Sequence, residues 1–394
     1  MSTPLIARSP DLAQLQAEGL DIRVVGGALI VDQVPYVRPG GAVAYGTLAC
    51  TLDLSGDVTV PPTQHTMFFA GEKPHDEHGK PLDLSLGITD FSGQLGGVAM
   101  QFQFSAKLVG NKPYEDYHQK ITTYLRRIVP PAERVNPDAA VTRAPLRETA
   151  EDESVFLYPD TFASRAGIEA ANNRVAGQRV AIIGCGGTGS AILDLVAKTP
   201  VAEIHLYDGD DFLTHNAFRA PGWTSLSELR SHPTKVDLLA ARYAAMRRGV
   251  IPHPVYVTAE NIDDLIGFDV VFIAIDKPAA KRPIFKSLTD RDVLFIDTGM
   301  GLTLTDDDSV RGQVRVTTSA PDQHDHIARR VSLVEIGDDD YTTNIQIAEL
   351  NSIAANLAVL RWKKHFGFYE DVAGEHNTTF VVGTGEIVTG DHTK

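Results

Sequence analysis

Four glycines at residues 184–189 form the part of this chain whose chemistry is easiest to interpret. Apolar residues 180–183 precede them, and the glycines are Gly184, Gly186, Gly187 and Gly189. A buried strand that feeds such a turn and then a helix presents backbone N–H groups to a phosphate, with no Cβ in the way. The turn alone is a weak signal, because dinucleotide dehydrogenases use nearly the same one.

The polar residues that follow the turn separate ATP chemistry from hydride transfer. They come in the order Asp208, Asp210, Asn216, Arg219, Lys235 and Asp276. Carboxylates combined with an arginine and a lysine are typical of sites that bind and neutralise a triphosphate. We therefore predict a site for ATP rather than for a nicotinamide cofactor.

Alternating strands and helices predict that these residues meet at one edge of a parallel sheet. Strands are expected at 179–183, 203–207, 254–257, 269–275 and 293–297, and helices at 188–198, 234–246, 262–266 and 278–288. The near-continuous Val/Ile runs indicate an α/β fold with a Rossmann-like, doubly wound, mostly parallel sheet. Ligands of such sheets bind beyond the carboxyl ends of the strands. Four residues fall there: Gly184, Asp208, Asp276 and Asp297.

The length of 394 residues and the composition predict two domains. Residues 1–130 form a smaller α+β domain, with antiparallel strands followed by a helix that carries Tyr117, Ile121, Tyr124 and Ile128. A linker rich in Pro, Ala, Glu and Arg is expected at 131–158. Residues 159–394 form the ATP-binding domain, which closes with a long helix at 341–362 and a hairpin at 380–388.

The bulk composition restricts the location and the partners of the protein. A formal net charge of −15 argues against a nucleic-acid or anionic-membrane surface. No apolar stretch approaches the roughly 18 residues of a membrane-spanning helix, and the N-terminus does not resemble a signal peptide. The two cysteines, Cys50 and Cys185, form no disulfide framework. We expect a soluble, cytoplasmic protein that binds neither nucleic acid nor membrane.

The order and spacing of the site residues resemble those of the ubiquitin-activating-enzyme-like superfamily, the adenylyltransferases of the ThiF, MoeB and HesA type. The similarity covers about residues 160–394. Family members carry a GxGGxG turn, an Asp-x-Asp, an Asn-x-x-Arg, a lysine on a helix and an aspartate at a buried strand end. Their counterparts here are residues 184–189, Asp208 with Asp210, Asn216 with Arg219, Lys235 and Asp276.

The resemblance implies ATP-dependent adenylylation of the C-terminal carboxylate of a ubiquitin-like protein. Arg219 and Lys235 would then neutralise the β- and γ-phosphates, and Asp276 would hold Mg²⁺. Asp208 would accept the ribose hydroxyls, and the glycine turn, Asp210 and Asn216 would complete the nucleotide site. Family members act as homodimers or pseudo-dimers and often borrow an arginine from the partner, here Arg165 or Arg174.

Several positions depart from the family pattern. Ala220 replaces a glutamine and Lys277 replaces an asparagine, and no Cys₄ site exists, so no zinc is expected. No cysteine stands at the position of the thioester nucleophile, because Cys185 lies in the glycine turn and Cys50 in a strand. We expect activation without a lasting thioester on this chain, or thioester chemistry on a separate conjugating enzyme.

The sequence of the first domain gives fewer indications of its fold and role than that of the ATP-binding domain. A β-meander followed by a helix resembles the ubiquitin-conjugating (UBC) fold, and the unusual motif at 65–75 suggests docking of a ubiquitin-like partner. The histidines of two loops, His75 with His78 and His324 with His326, are interpreted as solvated residues rather than metal ligands.

Two other functions remain open: an NAD-dependent oxidoreductase, and a non-catalytic adaptor whose partner binding is indifferent to ATP.

Overall fold

A computed structural model of the chain describes residues 4–139, 154–321, 323–331, 333 and 345–393. The chain divides into two compact units, Met1–Ala170 and Ala171–Lys394. Residues 140–153 of the predicted linker lie outside the described residues. The division at residue 170 comes later than the predicted domain start at 159, because Arg165 and Glu169 bond to groups of the first unit.

The first unit is built on an antiparallel sheet. Its helices are α1 (Pro4–Arg8), α2 (Pro10–Ala17), α3 (Asp83–Leu86), α4 (Tyr117–Val135) and α5 (Thr161–Ala166), with α6 (Glu169–Asn172) at the division and a 3₁₀ turn at Val109–Asn111. Its strands are β1 (Asp21–Val25), β2 (Ala28–Val37), β3 (Val43–Thr51), β4 (Leu54–Ser55), β5 (Val58–Thr59), β6 (Met67–Ala70), β7 (Thr89–Leu95) and β8 (Val98–Phe104). The sheet order is β1-β2-β3-β6-β8-β7, and β4 pairs with β5.

Helix α4 forms where the apolar spacing predicts it and packs on β2. Asp116 caps its N-terminus by accepting a hydrogen bond from the Gln119 N–H (2.7 Å). The predicted stripe is buried: Tyr117, Ile121, Tyr124 and Ile128. The helix continues to Val135, so its last turn occupies the first residues of the predicted linker.

The motif at residues 65–75 forms a central strand and the turn after it. Met67 and Phe69 are buried, and the Phe69 ring stacks on Phe104 with centroids 5.3 Å apart. The Tyr124 hydroxyl donates a hydrogen bond to the His65 carbonyl. Packing of the sheet against α4 therefore accounts for a large part of this unusual sequence.

The sequence pattern does not single out β2, although it is the longest strand of this sheet. A bulge between Val31 and Val34 shifts its register, and Gln33 within the bulge has a φ of 58°. A bulge inserts an extra residue and breaks the period-two alternation from which strands are predicted. Period-two patterning therefore gives β2 no clear signal, although antiparallel strands are predicted for this region.

The second unit is built on one mixed sheet. Its strands are β9 (Arg179–Ile183), β10 (Glu203–Tyr207), β11 (Val250–His253), β12 (Val270–Ile273), β13 (Phe295–Leu304), β14 (Val310–Ser319), β15 (Glu375–Val381) and β16 (Ile387–His392). Its helices are α7 (Gly187–Val196), α8 (Thr214–Ala217), α9 (Leu226–Arg230), α10 (Lys235–Tyr243), α11 (Pro278–Asp290), α12 (Ile327–Arg330) and α13 (Ala348–His365), with a 3₁₀ turn at Ile262–Leu265.

The order of this sheet is β11-β10-β9-β12-β13-β14-β15-β16. The pairs from β11 to β13 are parallel, and those from β13 to β16 are antiparallel. This confirms the predicted α/β class, a Rossmann-like, mostly parallel sheet preceded by a smaller α+β unit. The chain leaves β9 to one side for β10 and returns to its other side for β12, so the carboxyl ends of β9 and β12 border a crevice.

Some elements differ from their predicted positions. Strand β11 precedes the predicted 254–257 and includes Pro252, which an edge strand tolerates. Strand β14, which the sequence analysis missed, pairs antiparallel with β13 over ten residues. The long helix begins at Ala348 rather than 341, and residues 341–344 lie outside the described residues.

Helices cover both faces of the sheet, as the buried strand sequences require. On one face the core includes residues of α7, α10 and α13, among them Ile192, Val236, Ala355 and Trp362. On the other face it includes Leu265, Ile284 and Phe285. In the part of the chain that the structure describes, no helix is both long and apolar enough to cross a membrane.

Candidate active site at the carboxyl ends of the parallel strands

A cavity of about 900 Å³ opens at the carboxyl ends of β9, β10, β12 and β13. Nine of the ten predicted site residues line it: Gly184, Gly186, Gly187, Asp208, Asp210, Asn216, Arg219, Lys235 and Asp276. The lining also includes polar residues that the sequence did not assign to the site: Tyr256, Lys277, Gln346 and Asn351. A cavity of this size with convergent polar groups is typical of a small-molecule site.

The glycines of the turn serve different purposes. Gly184 has a φ of 86°, and a Cβ there would lie 2.5 Å from the Ala274 carbonyl oxygen. A Cβ at Gly189, the predicted site residue that does not line the cavity, would lie 1.8 Å from the Gly184 carbonyl oxygen. No atom lies within 4 Å of a Cβ at Gly186. Packing therefore requires Gly184 and Gly189, whereas Gly186 leaves space for a ligand.

The Asp208 carboxylate holds the glycine turn in place. Its Oδ2 accepts a hydrogen bond from the Cys185 N–H (2.7 Å), and its Oδ1 accepts one from the Asp210 N–H (2.9 Å). The residue is only 7% exposed at the end of β10. Asp208 thus organises the backbone of the site in addition to any contact it makes with a ligand.

Lys235 brings a positive charge to the same side of the cavity. It is the first residue of α10, which the Thr234 side chain caps, and its Nζ lies 2.5 Å from Asp210 Oδ2 and 3.4 Å from Asp208 Oδ1. The hydrogen bond from Lys235, together with one from the Tyr256 hydroxyl, holds the pKa of Asp210 below its usual value. Asp210 therefore stays ionised beside the lysine.

A glutamine that sequence reasoning missed joins the remaining predicted residues. Gln346 accepts a hydrogen bond from the Arg219 guanidinium (2.8 Å) through Oε1 and donates one to Asp276 Oδ2 (2.7 Å) through Nε2. Arg219 and Gln346 are 127 positions apart in sequence. No local pattern could have connected them, because Gln346 belongs to the short segment before α13.

Asn216 lines the cavity and has a local structural role. It is buried, and its Oδ1 accepts a hydrogen bond from the Leu213 N–H (2.9 Å). That bond fixes the first turn of α8, which carries the chain toward Arg219. The asparagine therefore positions the arginine that follows it.

Asp297, at the end of the buried part of β13, is set apart from the cavity. It is 0% exposed, and its two oxygens lie 2.6 Å from Lys281 Nζ and 2.7 Å from the Arg315 guanidinium. Lys281 Nζ also donates to the Thr298 carbonyl oxygen (3.2 Å). These two cations leave Asp297 no free position for a ligand, so this strand-end carboxylate is structural.

Neither cysteine is placed as a nucleophile. Cys50 and Cys185 are both buried, and burial raises the pKa of each thiol above its usual value. A thiolate, which is the reactive form, is therefore disfavoured at both positions.

Within the described ranges, no group of three or more His, Cys, Asp or Glu residues could hold a metal ion.

The loop histidines have partners within the protein. His75 Nδ1 bonds to the Lys73 carbonyl oxygen (2.8 Å), and the His324 ring bonds to Ser319 and to Asp292. His326 is buried and bonds to the Thr318 carbonyl oxygen (2.8 Å). The interpretation of His326 as a solvated residue is therefore wrong, because β14 covers it.

Comparison with known families agrees with this geometry. A family model described as the ThiF family matches residues 162–362, just over half of the chain. The chain therefore belongs to the ThiF family. A second model, described as a domain of unknown function (DUF6791), matches residues 10–161. The resemblance of this first region to the UBC fold stays a prediction.

Two solved structures that match part of this chain are E. coli MccB and PaaA. E. coli MccB with ATP is 16% identical, with 57% of this chain and 66% of that chain covered and a TM-score of 0.45. PaaA is 19% identical, with 57% and 67% covered and a TM-score of 0.44. The chain thus spans about two thirds of the length of these proteins. A search of curated proteins found no match.

Proposed function

We propose that this protein uses ATP to adenylylate the C-terminal carboxylate of a ubiquitin-like protein in a conjugation pathway. The observation that carries the proposal is the convergence of the glycine turn, Lys235, Arg219 and Asp276 on one cavity. These residues come from four separate parts of the chain. Their combination of N–H donors, cations and a carboxylate suits a triphosphate better than a dinucleotide, since pyrophosphate linkages need less neutralising charge.

In the proposed reaction, an oxygen of the substrate carboxylate bonds to the α-phosphorus of ATP. The bond between that phosphorus and the oxygen that bridges the α- and β-phosphates breaks. The products are an acyl-adenylate and pyrophosphate. Arg219 and Lys235 offset the negative charge that develops on the departing pyrophosphate. The glycine turn supplies backbone N–H groups at the start of α7, and Asp208 and Asp210 face the ribose.

The residues of the site fit a magnesium ion that ATP brings with it. Mg²⁺ is usually held by one or two carboxylates together with substrate phosphates and waters, and Asp276 is an exposed carboxylate on the cavity wall. The ion would supply charge neutralisation for the triphosphate. Gln346, now bonded to Asp276, would have to share or release that carboxylate.

The remaining partners of the proposed pathway follow from the family resemblance. The buried thiols favour transfer of the activated carboxylate without a lasting thioester on this chain, or through a separate conjugating enzyme. A homodimer is proposed as the working form. Arg165 is a poor candidate for the arginine given to a partner, because its guanidinium lies 2.5 Å from Asp53 Oδ1; Arg174 is exposed.

Calorimetric titration tests the proposal. We expect the full chain to bind ATP with Mg²⁺ and not NAD, and Lys235→Met to weaken ATP binding by at least about tenfold, since charge-assisted bonds to phosphate are lost. Lys286→Met, which removes an exposed lysine paired with Asp290, is the matched control and should bind ATP as the wild type does.

Pyrophosphate exchange with candidate ubiquitin-like proteins then separates the enzyme from an adaptor. Exchange that depends on an intact C-terminal carboxylate supports adenylylation. Binding of NAD without ATP would assign the site to an oxidoreductase. Partner binding that ATP does not affect, in a protein that binds neither nucleotide, would indicate a non-catalytic adaptor.

A further inference from the structure

The side-chain amide of Asn351, in the first turns of α13, is hydrogen-bonded at its oxygen but not at its nitrogen within the part of the chain that the structure describes. The residue is 0% exposed. Its Oδ1 accepts a hydrogen bond from the Thr188 hydroxyl (2.9 Å), whereas its Nδ2 is buried and has no partner among the residues that the structure describes. Burying an amide donor without an acceptor is costly, so such a group calls for a ligand.

The unpartnered amide lies directly against the phosphate-binding turn. A Cβ added to Gly187, the first residue of α7, would lie 2.2 Å from Asn351 Nδ2 and 3.2 Å from Arg219 Cβ. Gly187 is therefore glycine because the asparagine occupies the place of its side chain.

A second buried donor nearby also has no partner. Arg219 uses one terminal nitrogen to bond Gln346, but its Nε is buried and has no acceptor within the described ranges. The first N–H groups of α7, beside both side chains, have no acceptor within the helix. Asn351, Arg219 and the start of α7 thus all carry N–H donors near Gly187, and what these donors share is an affinity for an oxyanion.

We infer that Asn351 donates a hydrogen bond through Nδ2 to a phosphate oxygen of the bound nucleotide. The Thr188 hydroxyl orients the amide for this contact by occupying Oδ1. The inference rests on the proposed ATP site but not on adenylylation itself. It adds a residue of α13 to a nucleotide site that the sequence places wholly on the parallel strands and the helices that follow them.

The substitution Asn351→Asp tests this contact, because it keeps the shape of the side chain and replaces the donor by a negative oxygen. We expect ATP affinity to fall by at least about tenfold, the scale of a charged hydrogen bond lost to a like-charge contact. Adenosine, which has no phosphate, should bind within about twofold of the wild type. Calorimetric titration of the full chain with each compound gives both values.

Asn356→Asp is the matched control. Asn356 lies on the same helix, is exposed and bonds through Nδ2 to the Ser352 carbonyl oxygen. The same chemical change there should leave both affinities unaltered. Asn351→Ala serves where the aspartate does not fold, as judged by thermal unfolding, and should weaken ATP by a smaller factor while sparing adenosine.

The outcomes distinguish this inference from the proposed function. Wild-type affinity for ATP in Asn351→Asp would overturn it, as would an equal loss of ATP and adenosine, which indicates a general disturbance of the cavity. A selective loss of ATP affinity in a protein that shows no pyrophosphate exchange would support Asn351 and reject adenylylation. A wild-type chain that binds no ATP would reject both.

Discussion

Two groups of ionised residues at the same edge of one sheet are arranged in opposite ways. Around Asp297, one carboxylate is enclosed by Lys281 and Arg315, and nothing is left for a ligand. Around the glycine turn, the charged side chains line a cavity, and buried donors of Arg219 and Asn351 have no partner within the described ranges. We call the first group, Asp297 with Lys281 and Arg315, the closed group, because it is complete without a ligand. The second, which is not complete, is the open group and includes Asp208, Lys235, Arg219, Gln346 and Asn351.

The difference comes from the neighbouring elements. Asp297 lies between α11 and the antiparallel strand β14, and each of them contributes a cation. Asp208 lies beside the glycine turn, where the first helix turn leaves backbone donors free. A carboxylate at a strand end is therefore not a functional residue by position alone. Its role depends on whether hydrogen-bond donors around it remain unpaired once the hydrogen bonds and ion pairs within the protein have formed.

The largest expected effect is a loss of stability when the charge of Asp297, between Lys281 and Arg315, is removed. Asp297→Asn leaves the buried Lys281 ammonium without its counter-ion and should lower the free energy of unfolding by about 3–5 kcal/mol. Urea denaturation measures this loss. ATP affinity of the folded variant should stay within about twofold.

Asp290→Asn is the control for this prediction. Asp290 also pairs with a lysine, Lys286, at 2.5 Å, but both side chains are mostly exposed. Its replacement should cost no more than about 1 kcal/mol. Equal effects of the two substitutions would contradict the assignment of Asp297 to a buried structural group.

The same substitution in the open group should act mainly on binding. Asp208→Asn keeps one oxygen for the two backbone N–H groups that the carboxylate binds and turns an NH2 donor toward the other, so we expect a stability loss of about 1–3 kcal/mol. It removes the negative charge beside Lys235 that we propose accepts the ribose hydroxyls, and ATP affinity should fall by at least about tenfold. Calorimetry and urea denaturation together measure both quantities. Unaltered ATP affinity would place the ribose elsewhere.

Two glycine substitutions sharpen the contrast within the turn itself. Gly189→Ala forces a methyl group against the Gly184 carbonyl oxygen and should lower the free energy of unfolding by about 1–3 kcal/mol. Gly186→Ala meets no protein atom and should change that energy by less than about 0.5 kcal/mol. Its methyl group would instead occupy space for a phosphate and weaken ATP binding several-fold. A reversal of these two patterns would mean that Gly186 does not face the ligand.

The smallest expected effect comes from making the open group resemble the closed one. Gln346→Glu would pair the Arg219 guanidinium with a carboxylate and place a negative charge beside Asp276. Because this pair lies in a solvent-accessible cavity, we expect ATP binding to weaken by about 1 kcal/mol or less, up to about fivefold. Gln94→Glu, an exposed change in the first unit, is the control. Tighter ATP binding in the Gln346 variant would show that Arg219 is not a phosphate ligand.

Periodicity predicted the elements that follow local rules and failed where local rules are broken. The strand of residues 179–183, the glycine turn and the helix after it were confirmed, since each is determined by adjacent residues. The bulge hid β2, and β11 begins four residues before its predicted position. The motif at 65–75 looked functional because its residues are unusual, but much of it is core.

The sequence by itself determined the fold class, the family and nine residues of the cavity, because strand ends and a glycine turn are marked by the residues next to them. Only the tertiary structure decided which charges were already paired. It assigned Asp297 to a closed group, and it brought Gln346 and Asn351 to Arg219 and Gly187 from more than 100 residues away. Hydrogen-bond partners over such separations depend on how helices and strands pack, which no local pattern records.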